Sequence, residues 1–191
     1  MELMDRIFYG AIEEFKENGT KFTMDSLASR LGISKRTLYE TVPSKTAVIE
    51  MVIDLTFADV KKQQRDIFEN DELSLTDKLK KLLTIVPAYA EMIDYRRVNE
   101  IKRIYPHLYQ KIDDNLNSDW DRTMDLLEKG MEAGIIKRTN LVVLKLLLVQ
   151  VFEKLLDGTF LIQNNISYQT AMKESLSIIF DGILTDEHKG S

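Results

Sequence analysis

Residues that end helices are scarce in this chain. It has 8 glycines and 3 prolines among 191 residues, about half the share of an average protein. A β-sandwich or a barrel needs many more turn residues, so the sequence favours long helices. Its hydrophobic content of 44% is that of a folded chain, and its length fits one large domain or two small ones. We therefore predict an all-α protein.

The sequence also excludes several classes of protein. It contains no cysteine, which excludes disulfides, thiolate metal sites and cysteine nucleophiles. Its longest uncharged segment, residues 158–172, contains polar amides and is shorter than the roughly 20 apolar residues of a membrane span. Acidic residues stand near the N-terminus, where a signal peptide carries positive charge. We expect a soluble cytoplasmic protein with no membrane partner.

The N-terminal quarter of the chain has the pattern of a three-helix unit. Apolar residues at every fourth position indicate a first helix from about Glu2 to Asn18. Thr23 and Ser34 are placed to cap two short helices, and Gly32 between those helices can form a tight turn. Two short helices joined at a glycine, behind a supporting helix, are typical of a helix-turn-helix. We therefore expect a helix-turn-helix domain over residues 1–46.

The third predicted helix, Lys35 to about Val42, has a polar outer face. On a helical wheel Leu38 points inward, whereas Arg36 and Glu40 point outward. The segment from Lys21 to Lys45 carries five cations and two anions, although the whole chain has a net charge of −5. A basic unit on an acidic remainder is what phosphate contact at one end requires. We therefore predict that this face binds DNA.

The same segment is similar to part of a known family. In residue type and spacing it resembles the DNA-binding domain of the tetracycline-repressor (TetR) family. The resemblance is carried by Phe15, Gly19, Thr23, Leu27-Ala28, Gly32-Ile33-Ser34, Thr37-Leu38-Tyr39 and Ser44-Lys45. It implies an operator of double-stranded DNA as the partner. The DNA-binding residues that it implies are Thr23, Ser34, Lys35, Arg36, Thr37, Tyr39 and Lys45.

The resemblance gives these residues different roles. Thr23 would meet a phosphate at the N-terminus of its helix, where backbone amides are unpaired. Residues 34–37 would open the recognition helix in the major groove, where Arg36, and also Lys35 or Thr37, could read base edges. Tyr39 and Lys45 would contact the DNA backbone, which positions the protein but carries no sequence information.

Three positions depart from the family's pattern. Arg36 stands where a glycine is frequent, and an arginine suggests contact with a guanine or a phosphate. Glu40 is unfavourable near phosphates unless it accepts a hydrogen bond from a cytosine amino group. Val42 replaces a usual phenylalanine. These departures affect which operator is recognised and leave the mode of binding unchanged.

Residues 47–191 predict a second helical domain, for ligand binding and dimerisation. An amphipathic helix is expected over about Asp113–Lys129. Helices over Leu141–Ile162 and Tyr168–Leu184 are so rich in apolar residues that they need burial on more than one side. We expect these last two long helices to form the interface of a homodimer.

A cavity in the second domain follows from the resemblance, with a small apolar or amphipathic molecule as its ligand. The candidate lining residues are Tyr89, Met92, Trp120, Met124 and Phe152. Aromatic and methionine residues at helical spacing can equally belong to an ordinary core. The alternative is therefore a domain without a cavity.

Catalysis finds little support in the sequence. Its two histidines, His107 and His188, lie far apart and without companion motifs. The chain has no glycine-rich phosphate loop, no zinc-binding histidine pair and no nucleophile elbow. We expect no enzyme activity, no metal and no cofactor.

The sequence therefore predicts a DNA-binding transcriptional regulator, most simply a repressor that a small ligand releases from a palindromic operator. One rival function is that of a dimeric DNA-binding protein whose second domain binds a protein partner and no small ligand. A second rival is an enzyme or carrier with a vestigial helix-turn-helix. Lys35 and Arg36 separate the two rivals, because an enzyme or carrier would not depend on them.

Overall fold

A computed structural model describes residues 2–188, and within this range the protein folds into eleven α-helices. Met1 of the predicted first domain and residues 189–191 of the second lie outside the described residues. Among residues 2–188, β-structure is limited to an isolated antiparallel bridge between Ile136 and Leu184. The predicted all-α class is confirmed. The helices are α1 (Leu3–Asn18), α2 (Met24–Leu31), α3 (Lys35–Thr41), α4 (Lys45–Glu69), α5 (Leu75–Leu83), α6 (Val98–Ile104), α7 (Pro106–Asn117), α8 (Asp121–Glu132), α9 (Leu141–Leu156), α10 (Thr159–Asn164) and α11 (Tyr168–Ile183).

Short polar residues cap the helices of the N-terminal unit as predicted. The Thr23 hydroxyl accepts a hydrogen bond of 3.0 Å from the Ser26 N–H at the start of α2. The Ser34 hydroxyl accepts one of 3.0 Å from the Thr37 N–H at the start of α3. Gly32 ends α2 at a φ of 64°, a left-handed conformation that favours glycine. The predicted helix-turn-helix is therefore present.

Helix α1 supports α2 and α3 from behind. Ile7 of α1, Leu27 of α2 and Leu38 of α3 are fully buried in one apolar cluster. At Gly10 of α1, an added Cβ would lie 2.8 Å from the Leu31 side chain, so the glycine lets α2 pack closely. We call α1–α3 the head and α4–α11 the body.

Helix α4 joins the head to the body without a linker. It starts at the Ser44 cap, whose hydroxyl accepts a hydrogen bond of 3.1 Å from the Ala47 N–H. Val48 and Ile49 of its first turns are buried in the same cluster as the head. The boundary predicted after residue 46 falls inside this helix, and the division into two domains stays a prediction. No helix within residues 2–188 is both long enough and apolar enough to cross a bilayer.

The single helix predicted over Asp113–Lys129 is wrong. Helix α7 ends at Asn117 and α8 begins at Asp121. Between them Asp119 takes a φ of 59° and forms an ion pair of 2.8 Å with Lys61 of α4. This contact between distant residues stabilises the turn, and the spacing of apolar residues within one segment cannot predict it.

The helix predicted over Leu141–Ile162 is also interrupted. Helix α9 ends at Leu156, and α10 begins after Gly158, which has a φ of 73°. A Cβ added at Gly158 would lie 2.6 Å from the backbone Cα of Arg96. The chain therefore turns where it contacts another segment closely, and α10 folds back there.

Candidate nucleic-acid interface

The outer face of α3 is polar and exposed. Arg36 is the most exposed of its residues, with 87% of its side chain accessible. Lys35, Tyr39 and Glu40 are exposed beside it, whereas Leu38 is buried in the head. The exposed polar face of α3 is therefore the one that the sequence predicted, and its contact with DNA stays a prediction.

Each cation of this face has an intramolecular partner. The Arg36 Nε lies 2.8 Å from the Glu40 carboxylate one turn later. The Lys35 ammonium pairs with Asp25 of α2. Ion pairs between exposed side chains contribute about 0.2–1 kcal/mol each. Phosphates and base edges can therefore replace these partners at little cost.

Two hydroxyl-bearing residues of the predicted site cap helices. Besides its capping bond, the Ser34 hydroxyl lies 2.8 Å from the Thr37 hydroxyl. Thr23 is exposed and also receives its capping bond, and its N–H donates to the Ser26 hydroxyl at 3.0 Å. These bonds fix the N-termini of α2 and α3, which lie at the exposed surface of the head.

Lys45 is half-buried, and its ammonium contacts the protein itself. Its ammonium donates a hydrogen bond to the Thr20 carbonyl and lies 4.8 Å from the centre of the Phe22 ring. Burial lowers the pKa of Lys45. The residue ties the start of α4 to the turn after α1, and its predicted contact with the DNA backbone stays a prediction.

Helix α6 and the residue before it, Arg97, form hydrogen bonds with the end of α1 and the turn that follows it. We call this set of bonds, from Glu100 to Thr20 and from Arg97 to Glu17 and Glu100, the clasp. Glu100 accepts hydrogen bonds of 2.8 Å from both the N–H and the hydroxyl of Thr20. Arg97 donates to the Glu17 carbonyl at 3.1 Å and to Glu100 at 3.3 Å. Burial alone would raise the pKa of Glu100, but the bonds from Thr20 and Arg97 hold it below its ordinary value. The partners lie about 80 residues apart, and sequence reasoning missed them.

Two adjoining cavities lie along α4, and the inner one lies at the junction of head and body. The inner chamber has a volume of about 110 Å³ and is lined by Ala11 and Phe15 of α1, by α4 and by α6. The outer chamber has a volume of about 160 Å³ and is lined by α4, the α7–α8 turn and α9. Thr56, Tyr95 and other residues line both chambers. The cavity space therefore reaches from the body to the rear of the head.

The predicted ligand residues are divided by this geometry. Trp120 and Phe152 line the outer chamber. Met92 and Met124 line neither chamber. Tyr89 also lines neither, and its ring packs edge-on against an aromatic ring of α1 at 4.7 Å. Whether these five residues bind a ligand is not decided by their positions, and their role in a ligand site stays a prediction.

Two tyrosines that sequence reasoning missed stand in the cavity walls. Tyr95 lines both chambers and stacks on Tyr168, with the ring centres 3.6 Å apart. Its side chain is buried, and its hydroxyl has no hydrogen-bond partner within residues 2–188. Tyr95 lies in a short turn outside any amphipathic helix, so its sequence environment gave no signal.

The body also exposes a large apolar surface. On α9, Val142 is 79% exposed and Leu146 is 57% exposed, and on α11 Ile178 is 72% exposed. Exposed apolar side chains clustered on two neighbouring helices mark an interaction surface. They lie on the two helices that the sequence assigned to the dimer interface.

The described part of the chain offers no metal site. Within residues 2–188, no group of three or more histidine, cysteine, aspartate or glutamate side chains is placed to hold a metal ion. His107 is exposed on the first turn of α7, with the Tyr105 ring 6.5 Å away.

The helix-turn-helix matches a known family in sequence. The sequence model of the bacterial regulatory proteins, tetR family, matches residues 7–52. Over 182 residues the chain is 27% identical to an uncharacterized HTH-type transcriptional regulator, YvaF, of Bacillus subtilis (strain 168). The match covers 95% of this chain and 96% of that protein, so it extends through the body.

The whole fold is shared with solved structures. A TetR-family transcriptional regulator from Marinobacter aquaeolei VT8 matches with a TM-score of 0.71 and 20% identity, over 99% of this chain and 94% of that one. The SmeT–triclosan complex matches with a TM-score of 0.68 and 12% identity, over 98% of this chain and 95% of that one. At these identities the likeness concerns the arrangement of helices.

Proposed function

This chain belongs to the tetR family of bacterial regulatory proteins and is a DNA-binding transcriptional regulator, and from that premise we propose that it is a homodimeric repressor that a small ligand releases from a palindromic operator. It acts in the cytoplasm, where its operator is accessible. The observation that carries the ligand-responsive part is the pair of adjoining chambers, of which the inner one lies between head and body. A molecule bound in the inner chamber touches both units at once.

The DNA-binding surface in this proposal is the exposed face of α3 with the N-terminus of α2. Lys35 and Arg36 exchange their carboxylate partners for phosphates and base edges. Two heads in a symmetric dimer read two half-sites about one helical turn, roughly 34–36 Å, apart. The DNA-binding residues are Thr23, Ser34, Lys35, Arg36, Thr37, Tyr39 and Lys45.

The dimer forms through the exposed apolar surface of α9 and α11. Two copies related by a two-fold axis bury the same side chains against each other. Because α4 follows the head without a linker and packs on it at its start, the pairing of the bodies sets the distance between the heads.

Ile178→Glu should separate the subunits. A carboxylate in the centre of an apolar interface has no partner, so we expect the dimer dissociation constant to rise more than about 100-fold. Sedimentation velocity over a range of concentrations measures it. Ile104→Glu, at an exposed isoleucine of α6, is the matched control. If both variants stay dimeric, α9 and α11 do not form the interface.

Ligand binding is coupled to the head through the chambers and the clasp. A ligand that enters the inner chamber displaces α1, α4 or α6, and the clasp transmits a shift of α6 to the turn after α1. A differential affinity of about 1–3 kcal/mol between two head positions gives roughly 5- to 150-fold release.

The test is to measure operator affinity in the presence of a library of small apolar and amphipathic compounds. The operator is first selected from random DNA with the full-length protein. A compound that lowers operator affinity within the expected range supports the proposal. If the whole library leaves operator affinity unchanged, ligand release is contradicted and a protein partner for the body is favoured.

Glu100→Gln should weaken the clasp. Both Thr20 hydrogen bonds reach the same oxygen of Glu100, so a glutamine can still accept them, but it loses the negative charge and turns an NH₂ group towards Arg97. We therefore expect the free energy of unfolding to fall by about 1–2 kcal/mol. Release by an identified ligand should shrink towards no effect, because the head no longer follows α6. Urea unfolding and operator titration measure the two results. Glu128→Gln, on the exposed face of α8, should change the unfolding free energy by less than about 0.5 kcal/mol.

A further inference from the structure

The inner chamber offers a ligand one unused hydrogen-bond donor. Its lining side chains are apolar apart from Thr56 and Tyr95. The Thr56 hydroxyl donates to the Val52 carbonyl at 2.6 Å, so its proton is already engaged. The Tyr95 hydroxyl is buried and has no partner within residues 2–188. A molecule in this chamber therefore finds apolar walls and a single donor.

The position of that donor is fixed. Tyr95 is only 6% exposed, and its ring stacks on Tyr168 at 3.6 Å with an angle of 12° between the planes. Because Tyr95 lines both chambers, its side chain stands where they meet. Burial raises the pKa of Tyr95 above its ordinary value of 10. The hydroxyl therefore keeps its proton and acts as a donor.

The outer chamber disfavours a charged ligand. Its charged lining residues are Lys61 and Asp119, and they pair with each other at 2.8 Å. Because these two charges neutralise each other, the outer chamber offers a ligand no net counter-charge. The other polar lining residues, among them Gln64, Asn115 and Ser118, carry neutral amides and hydroxyls. These groups suit a neutral polar end.

We infer that the ligand is an uncharged, chain-like amphipathic molecule with a hydrogen-bond acceptor along its chain. Its apolar end lies in the inner chamber against Ala11 and Phe15 of the head, its acceptor binds the Tyr95 hydroxyl, and its polar end lies in the outer chamber. This inference rests on the proposed ligand-responsive function. It adds the chemical class of the ligand and its orientation in the two chambers.

The test uses monoacylglycerols as probes, with the acyl chain lengthened one methylene at a time. They combine an apolar chain, an ester carbonyl and a neutral diol end. Trp120 is the one tryptophan of the chain and lines the outer chamber, so its fluorescence reports binding to the full-length protein. We expect the affinity to rise about fourfold per methylene until the inner chamber is filled, and then to stop rising.

Two chemical controls examine charge and the acceptor. The fatty carboxylate of equal chain length should bind at least about tenfold more weakly, because the lining of the two chambers has no net positive charge to offset its own. The 1,2-alkanediol of equal length keeps the neutral polar end but lacks the carbonyl. For wild-type protein it should bind about 5- to 10-fold more weakly than the monoacylglycerol, the value of one hydrogen bond.

Tyr95→Phe examines the donor directly. It keeps the stacked ring and removes a hydroxyl without a partner, so the thermal midpoint of unfolding should stay equal or rise. Monoacylglycerol affinity should fall about 5- to 10-fold, whereas alkanediol affinity should not change. Tyr109→Phe, at a half-buried tyrosine that lines neither chamber, is the matched control.

The results separate this inference from the proposed function. It is overturned if chain length has no effect, if the carboxylate binds as tightly as the ester, or if Tyr95→Phe weakens both neutral probes equally. Should charged compounds alone release the operator, ligand response stands and this inference fails. Should the neutral probes bind as expected while no compound changes operator affinity, the ligand class stands and the repressor-release proposal fails.

Discussion

Arg36→Ala is expected to lower affinity for the selected operator by roughly 5- to 150-fold while leaving the fold intact. A bidentate contact between an arginine and a base edge contributes about 1–3 kcal/mol of discrimination. Arg36 is exposed on the outer face of α3, and Glu40 is its ion-pair partner. Its removal therefore leaves no buried gap. Electrophoretic mobility shift with operator and with scrambled duplex measures the loss, which should be largest for the operator.

Lys35→Ala gives the informative contrast within the same helix. A lysine that contacts phosphate binds every duplex alike, so its loss should weaken operator and scrambled DNA equally. The slope of log affinity against log salt should fall by about one. Arg65→Ala, which removes an exposed cation of α4 in the body, is the matched control and should change neither affinity. If Arg36→Ala and Arg65→Ala bind DNA equally well, α3 is not the recognition helix.

The features that sequence reasoning predicted well are local ones. The caps at Thr23 and Ser34 and the left-handed turn at Gly32 are each set by residues within four positions along the chain. The outward direction of Arg36 and Glu40 follows from helical geometry alone. The helix-turn-helix could therefore be predicted to within a residue or two.

The features that it missed depend on contacts between distant segments. Helix α9 ends where Gly158 packs on the backbone of Arg96, and the α7–α8 turn is held by the pair of Asp119 with Lys61. The apolar periodicity of one segment gives no information on its partners elsewhere in the chain, here Arg96 and Lys61. The clasp and most of the chamber walls were missed for the same reason, because segments distant in sequence supply them together.

A buried carboxylate holds the head together. Glu14 of α1 is only 3% exposed and pairs with Arg30 of α2 at 2.7 Å. It also accepts hydrogen bonds from the Ser26 hydroxyl at 2.8 Å and from the Asn18 amide at 3.1 Å. Glu13 contacts Arg30 as well, at 3.3 Å, but 51% of its side chain is exposed. Glu13 and Glu14 carry the same charge and share Arg30 as a partner but differ in burial, so substituting each in turn shows how much burial adds to the stabilisation.

Glu14→Gln should lower the free energy of unfolding by about 2–3 kcal/mol. It replaces the carboxylate of a buried pair by a neutral amide, and the loss stays below that of a fully buried pair because Arg30 retains contact with water. Glu13→Gln removes the same charge from an exposed position and should cost less than about 1 kcal/mol. Because α1 supports α2 and α3, operator binding at raised temperature should fail first in Glu14→Gln. Urea unfolding at pH 7 followed by circular dichroism compares the variants, and equal losses for both would contradict the role of Glu14.

The pH dependence of stability gives an independent measure of the same contact. Burial alone would raise the pKa of Glu14, but the bonds from Arg30, Ser26 and Asn18 hold it below its ordinary value of 4.5. The stabilisation from a lowered pKa is fully present above about pH 4.5 and is lost as the pH falls through the pKa of the folded state. The difference in unfolding free energy between wild type and Glu14→Gln should therefore be constant near neutrality and shrink below about pH 4.5. A difference that stays unchanged down to pH 3 would show that the charge of Glu14 does not stabilise the head.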